Sequence, residues 1–114
     1  MIILLQVAAK NKRRTTVANI SAILGSITAI DDFKDFLCLP YLVSKTSLNM
    51  ITKCLSIELG ADNIRALAIH PGHVQTDMGG PNTAIDATAS AQGILTLIKN
   101  INDNNFGTLT IQHY

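Results

Sequence analysis

The run Ile64-Arg65-Ala66-Leu67-Ala68-Ile69-His70 sets the strongest limit on the fold. It has the length of a strand and is apolar almost throughout, rather than at every second position, as expected for a strand covered on both faces. Such burial belongs to parallel sheets, whose neighbouring strands are joined by crossover segments, usually helices. The turn Pro71-Gly72 ends the run.

The flanking sequence supplies those crossovers. From Tyr41 to Leu59 the apolar residues Leu48, Ile51, Cys54, Leu55 and Leu59 recur at helical spacing, and Gly60 stands where a left-handed C-terminal cap would. Thr15 to Ser21 is short and β-branched, bounded by charges on one side and Gly25 on the other, and reads as a second buried strand. Met1 to Lys10 reads as a helix that opens directly in apolar sequence without a capping residue. A loop carrying Asp31, Asp32, Lys34 and Asp35 closes at Pro40. Residues 85–101 read as a further helix, and Gly107 to Ile111 as a last strand. The order helix, strand, helix, strand, helix, strand predicts an α/β fold, an open parallel sheet with crossover helices, within one domain over residues 1–114.

Charge and cysteine content narrow the function classes. A formal charge of +1 gives no field that would steer a polyanion, so nucleic acid is not an expected partner. The one basic cluster, Lys10, Lys12, Arg13 and Arg14, reads as a solvated turn. Cys38 and Cys54 lack zinc spacing and are too few for a disulfide framework, which suits the reducing cytosol. In the apolar opening run the charges follow the hydrophobic stretch, the reverse of a signal peptide, and no stretch reaches the roughly 18 apolar residues of a membrane span. His70, His73 and Asp77 share no helix face, and no metal is expected there. His113 and Tyr114 read as a frayed terminus.

The chemistry centres on Tyr41 and Lys45, which at i and i+4 share one face at the start of the long helix. A phenol is a poor acid–base group at neutral pH unless a neighbouring ammonium favours its charged form. With that help it can exchange a proton with a hydroxyl or carbonyl. A Tyr and Lys four apart are common on helix surfaces, so the context carries the argument. That context is Asn19-Ile20-Ser21 at a strand end, Tyr41-Leu42-Val43-Ser44-Lys45, and Pro71-Gly72-His73-Val74-Gln75-Thr76 after the next strand.

Three motifs in this order resemble the short-chain dehydrogenase/reductase family. The stretches from Ser21 to Ile27 and from His70 to Gly80 look most like its sniffer and C-factor type carbonyl reductases. The resemblance covers essentially the whole chain and implies the C-terminal half of a Rossmann-like doubly wound sheet. It implies hydride transfer between NADP(H), or NAD(H), and a small carbonyl or alcohol substrate. Tyr41 would be the acid–base group, and Lys45 would hold the nicotinamide ribose. Pro71, Gly72, Val74 and Thr76 would line the cofactor, in keeping with ligand binding beyond the carboxyl ends of strands. A dimer through the Met1–Lys10 and Tyr41–Leu59 helices is a further expectation from the family.

The chain also departs from the pattern. The family serine that bonds the substrate oxygen falls on Ala22. Ser21 stands next to it and is the candidate substitute, although adjacent strand residues point to opposite faces; it would otherwise tie the strand end together with Asn19. No Gly-rich strand-to-helix turn of the dinucleotide-binding type occurs, and the family's catalytic asparagine has no counterpart, so the expectation is a chain without the dinucleotide-binding half. The stretch from Ile23 to Pro40 is longer than is usual in the family. Besides the oxidoreductase, a non-catalytic truncated member and an interaction module that associates with a complete family member therefore stay open.

Overall fold

The computed structural model describes residues 2–11, 15–83, 85–101 and 108–111. Lys12, Arg13 and Arg14 of the basic cluster, Gly107, His113 and Tyr114 lie outside the described residues. The elements are α1 (Ile2–Lys10), β1 (Thr15–Ile20), α2 (Leu39–Glu58), β2 (Ile64–His70), α3 (Ala87–Asn100) and β3 (Leu109–Ile111). Three 3-10 segments, Ile23–Gly25, Ile30–Phe36 and Gly60–Asp62, join them. The strands form one parallel sheet in the order β1-β2-β3, with Thr15 opposite Ile64 and Ile20 opposite Ile69. The expected α/β alternation is the architecture found.

β2 is central and buried on both faces, as its composition requires: Ile64, Ala66, Leu67, Ala68 and Ile69 are each at most 1% exposed. Leu67 and Ile69 face one layer, packing with Ile101, Ala18 and the α3 residues Ile94, Leu97 and Ile98. On the other face β2 packs against α2. Arg65 reaches across to donate to the Ile101 carbonyl at 3.2 Å, fixing the C-terminal end of α3 to the sheet.

Several local expectations change. The first strand ends at Ile20 rather than Ser21, but the Ser21 amide still donates to the Ile69 carbonyl at 2.7 Å. The α2 helix begins at Leu39, with Pro40 in its first turn where a missing N–H costs nothing. Gly60 is not its left-handed cap; the chain turns through a 3-10 segment, and Asn63 takes the left-handed conformation at φ 57°. Asparagine tolerates that region better than most residues. The inner face of α2 is also more polar than the apolar spacing implied. Ile51 and Cys54 point outward, whereas Leu42 and Thr52 are buried. The reason lies in β1, whose polar side chains need partners on that face. Asn19 Nδ2 donates to Thr52 Oγ1 at 2.8 Å, and Thr52 donates in turn to the Leu48 carbonyl at 2.7 Å.

The third helix starts at Ala87, capped by the Asp86 carboxylate accepting from the Ala89 amide at 2.8 Å, an N-cap contact of the ordinary kind. Ile85 instead pairs with Val74 in an isolated parallel bridge, with the Gln75 amide donating to Ile85 O at 2.8 Å. This pairing ties down the segment after β2. No helix among the described residues is long and apolar enough to cross a membrane.

Candidate active site

The site forms where β1 and β2 end. Beyond β1, Ala22 is extended and leads into the 3-10 turn Ile23–Gly25, which lies against α2. That approach demands glycine at position 25: a Cβ there would stand 2.7 Å from the Lys45 carbonyl carbon and 2.9 Å from both Lys45 Cβ and Asn49 Nδ2. The Gly25 carbonyl accepts from Asn49 Nδ2 at 3.1 Å and Thr46 Oγ1 at 3.2 Å. The turn is thus fastened to the helix that carries Tyr41 and Lys45.

Beyond β2, Pro71 and Gly72 change the chain's direction, with Gly72 at φ 83°, a region that favours glycine. The buried Ser90 hydroxyl of α3 donates to the Pro71 carbonyl at 2.7 Å and anchors this turn. Thr76 organises the next segment: its Oγ1 accepts from the Gly79 amide at 3.1 Å, and its carbonyl from the Gly80 amide at 2.8 Å. A Cβ on Gly79 would lie 2.0 Å from Val74 O, so the fold of this loop needs glycine there as well.

Between these walls lies an open cleft of about 750 Å³. Tyr41, Pro71, Gly72, Val74 and Thr76 all line it, with Ser90 and Ile94 of α3 opposite. Lys45 stands beside the phenol: its Nζ donates to the Ile20 carbonyl at 3.1 Å and lies 5.6 Å from the centroid of the Tyr41 ring. The distance is within the range of a cation–π contact. The Tyr–Lys pair inferred from spacing is therefore in contact; of the residues expected at a cofactor, Pro71, Gly72, Val74 and Thr76 share one cavity with the phenol, whereas Lys45 does not line it.

Ser21 is not brought to the cleft. It is 2% exposed, and its hydroxyl donates to Asn49 Oδ1 at 2.5 Å, with Lys45 O at 3.4 Å. The side chain sits on the sheet face turned toward α2 and binds β1 to that helix. Ala22, by contrast, borders a smaller cavity of about 240 Å³ together with Tyr41. Ile23, Leu24 and Phe33 form its apolar wall, and His70 and His73 border it as well. The long segment before α2 thus wraps the phenol rather than pushing it away.

His70 was not expected at the site except as an unconvincing metal ligand. Its Nδ1 is buried and has no hydrogen-bond partner among the described residues. Burial holds its pKa below the usual histidine value, and the nearby charge of His73 adds in the same direction. Among the described residues no three of His, Cys, Asp and Glu gather in a way that could hold a metal ion. Asn49 was also missed, although its spacing after Tyr41 and Lys45 keeps it on the same helix face and could have revealed it. Ser90 carried no sequence signal, because only the tertiary fold brings α3 over Pro71.

Comparisons with known proteins bear on the fold and the family. The family model described as enoyl-(acyl carrier protein) reductase matches residues 4–103. The C-signal protein of Myxococcus xanthus is 35% identical over 91 residues, covering 80% of this chain and 53% of that protein. The structure of NADPH-bound carbonyl reductase from chicken fatty liver aligns with a TM-score of 0.87 at 30% identity, covering 96% of this chain and 46% of that one. Carbonyl reductase Sniffer of D. melanogaster aligns with a TM-score of 0.82, also at 30% identity and with the same coverage of 96% and 46%. The chain spans about half the length of these relatives. With its parallel sheet, its Tyr–Lys helix and the match over nearly all its length, the chain belongs to the short-chain dehydrogenase/reductase family of oxidoreductases.

Proposed function

We propose that this chain carries the proton-transfer and nicotinamide-facing side of an NADP(H)-dependent carbonyl reductase site. The observation that carries the reading is the shared cleft of Tyr41, Pro71, Gly72, Val74 and Thr76, with the Lys45 ammonium over the phenol ring. A nicotinamide fits the residues present: the cleft lies within the usual size of small-molecule sites, and Gly72, at φ 83°, puts no side chain in the way. When bound, the nicotinamide supplies or takes the hydride. Pro71, Gly72, Val74 and Thr76 would hold it, and Lys45 would hold the ribose hydroxyls. Tyr41 gives its phenolic proton to the carbonyl oxygen in reduction and recovers one from the hydroxyl in oxidation. Ser21 and Asn49 act indirectly, by keeping the strand end and α2 in register. The choice of NADP(H) is supported by the NADPH named for the chicken carbonyl reductase. The free cysteines Cys38 and Cys54 accord with a cytoplasmic setting.

A dimer belongs to the same reading. Val43, Met50 and Ile57 recur along the outer face of α2 and are 56%, 64% and 70% exposed, and on α1 Leu4 and Val7 are 74% and 52% exposed. An apolar stripe of this kind marks a contact surface.

The test is a chimera in which the dinucleotide-binding segment of a carbonyl reductase relative precedes Met1. NADPH oxidation with a carbonyl substrate is expected, and Tyr41→Phe abolishes it. Ala22→Ser is expected to raise kcat, by up to about 10²-fold, because a donor at the substrate oxygen is worth most in the transition state. A chimera that binds NADPH but whose turnover is indifferent to Tyr41→Phe refutes the proposal.

A further inference from the structure

Leu24, Tyr41, Gly72 and His73 line both the main cleft and the smaller cavity, so the two spaces adjoin with the phenol on their common border. Ala22, Ile23 and Phe33 line the smaller one only and make its wall apolar. Phe33 comes from the segment Ile30–Phe36, whose two 3-10 turns meet at a kink on that residue. Asp31, Asp32, Lys34 and Asp35 around it are exposed, whereas Phe33 is half-buried and borders the cavity. One apolar ring is thus turned inward from a run of charged residues. It does not join the core cluster around Leu67, Ile69 and Ile101, so its burial comes at the cavity wall. No Asp, Glu, Lys or Arg among the described residues lines this space, whose polar border is the Tyr41 phenol with the imidazoles of His70 and His73. An ionised ligand would give up water there without a fixed opposite charge to replace it. The volume of about 240 Å³ is below the range of roughly 300–1,000 Å³ for drug-sized ligands.

We propose that the smaller cavity takes the apolar body of a compact, uncharged ketone or secondary alcohol, and that the Phe33 ring sets the size limit of that substrate. The proposal rests on the reading of the neighbouring cleft as a reductase site and adds to it the substrate class and a residue that selects it. With the substrate oxygen at the phenol, the rest of the molecule lies against Ile23 and Phe33, the wall that the main cleft does not share. Phe33 has the largest of the apolar side chains on that wall, so its truncation opens the cavity most. A ketone of about the size of a single six-membered ring suits the space, whereas a bulkier one meets the Phe33 ring. A 2-oxo acid of similar size is disfavoured by its charge.

The test titrates cyclohexanone, 4-tert-butylcyclohexanone and pyruvate into the chain as it stands and follows the aromatic ring resonances by NMR. With three phenylalanines and two tyrosines in the chain, Phe33 and Tyr41 are assigned by single substitutions. Cyclohexanone is expected to shift the Phe33 and Tyr41 rings together and saturably, and pyruvate to shift neither. The ratio of the Kd values for the two ketones reads the size limit. Phe33→Ala is expected to move that ratio about tenfold toward the bulkier ketone, the lower end for apolar size discrimination in a pocket. Phe33→Leu, which keeps an apolar wall and guards against misfolding of the alanine variant, moves it the same way by less. Ile27→Ala, at a residue 81% exposed that lines neither cavity, leaves the ratio within about twofold. A ratio unchanged in both Phe33 variants overturns the role of Phe33. Pyruvate that shifts the two rings as strongly as cyclohexanone overturns the substrate class, and cyclohexanone that moves neither ring overturns the cavity as a substrate site. Each of these results leaves the reductase reading to its own measure, the loss of NADPH oxidation on Tyr41→Phe in the chimera.

Discussion

Gly25→Ala puts the construction of the site to its most direct test. The added methyl would stand 2.7 Å from the Lys45 carbonyl carbon and 2.9 Å from Lys45 Cβ and Asn49 Nδ2, all closer than real Cβ contacts. Two of these three atoms belong to helix backbone or to the base of a side chain and cannot swing away. If the turn stays in place, compression costs about 1–3 kcal/mol. If the turn lifts, the hydrogen bonds from Thr46 and Asn49 to the Gly25 carbonyl break, at about 1 kcal/mol each. The two routes are alternatives of similar cost, so the expected loss is about 2 kcal/mol, or roughly 8–16 °C in Tm for a domain near this size. Thermal melts followed by circular dichroism, with urea titration as a second measure, read the effect. Gly60→Ala is the control: no atom lies within 4 Å of its added Cβ and its backbone is not left-handed. The same chemical change there is expected to stabilise by about 0.4–1 kcal/mol, through the unfolded chain. A Gly25→Ala variant within about 0.5 kcal/mol of the parent, or two variants shifted in the same direction, would refute the close-approach argument.

Three further outcomes are expected. Because burial lowers the His70 pKa in the folded state, the unfolded chain takes up its proton first as pH falls; stability is at its full value above about 6.5 and declines below it. His70→Gln should flatten that slope in melts from pH 7.5 to 5, and an unchanged slope would count against the burial. Thr52→Val removes the acceptor for Asn19 Nδ2 inside the interface of β1 with α2, and chemical unfolding should report a loss of about 1–3 kcal/mol. Sedimentation of the chain should show self-association, through the outer faces of α1 and α2 with Val43 and Met50 at the centre. Met50→Lys together with Val43→Glu should weaken it, and a strictly monomeric parent at high concentration would remove the dimer from the reading.

Much of the architecture was legible because it depends on local patterns. The nearly continuous apolar run Ile64–His70 is compatible with few structures other than a central parallel strand, and its burial on both faces follows. Tyr41 and Lys45 meet because a helix puts i and i+4 together wherever it is placed. The alternation of elements then puts Pro71 to Thr76 at a strand's carboxyl end, where α/β folds bind ligands. What the sequence left undecided depends on partners distant in the chain. The spacing of Ile51 and Cys54 identified the α2 helix but not its inner face, which is turned by the needs of Asn19 and Ser21 for Thr52 and Asn49. Gly60 looked like a cap, yet the left-handed turn falls on Asn63, where the chain must enter β2. Ser21 and Ala22 are neighbours of equal standing in the sequence. Only the tertiary structure sends one hydroxyl into the helix interface and puts the other, hydroxyl-free residue at the cavity beside Tyr41, because pairing with β2 fixes which face of β1 each side chain meets.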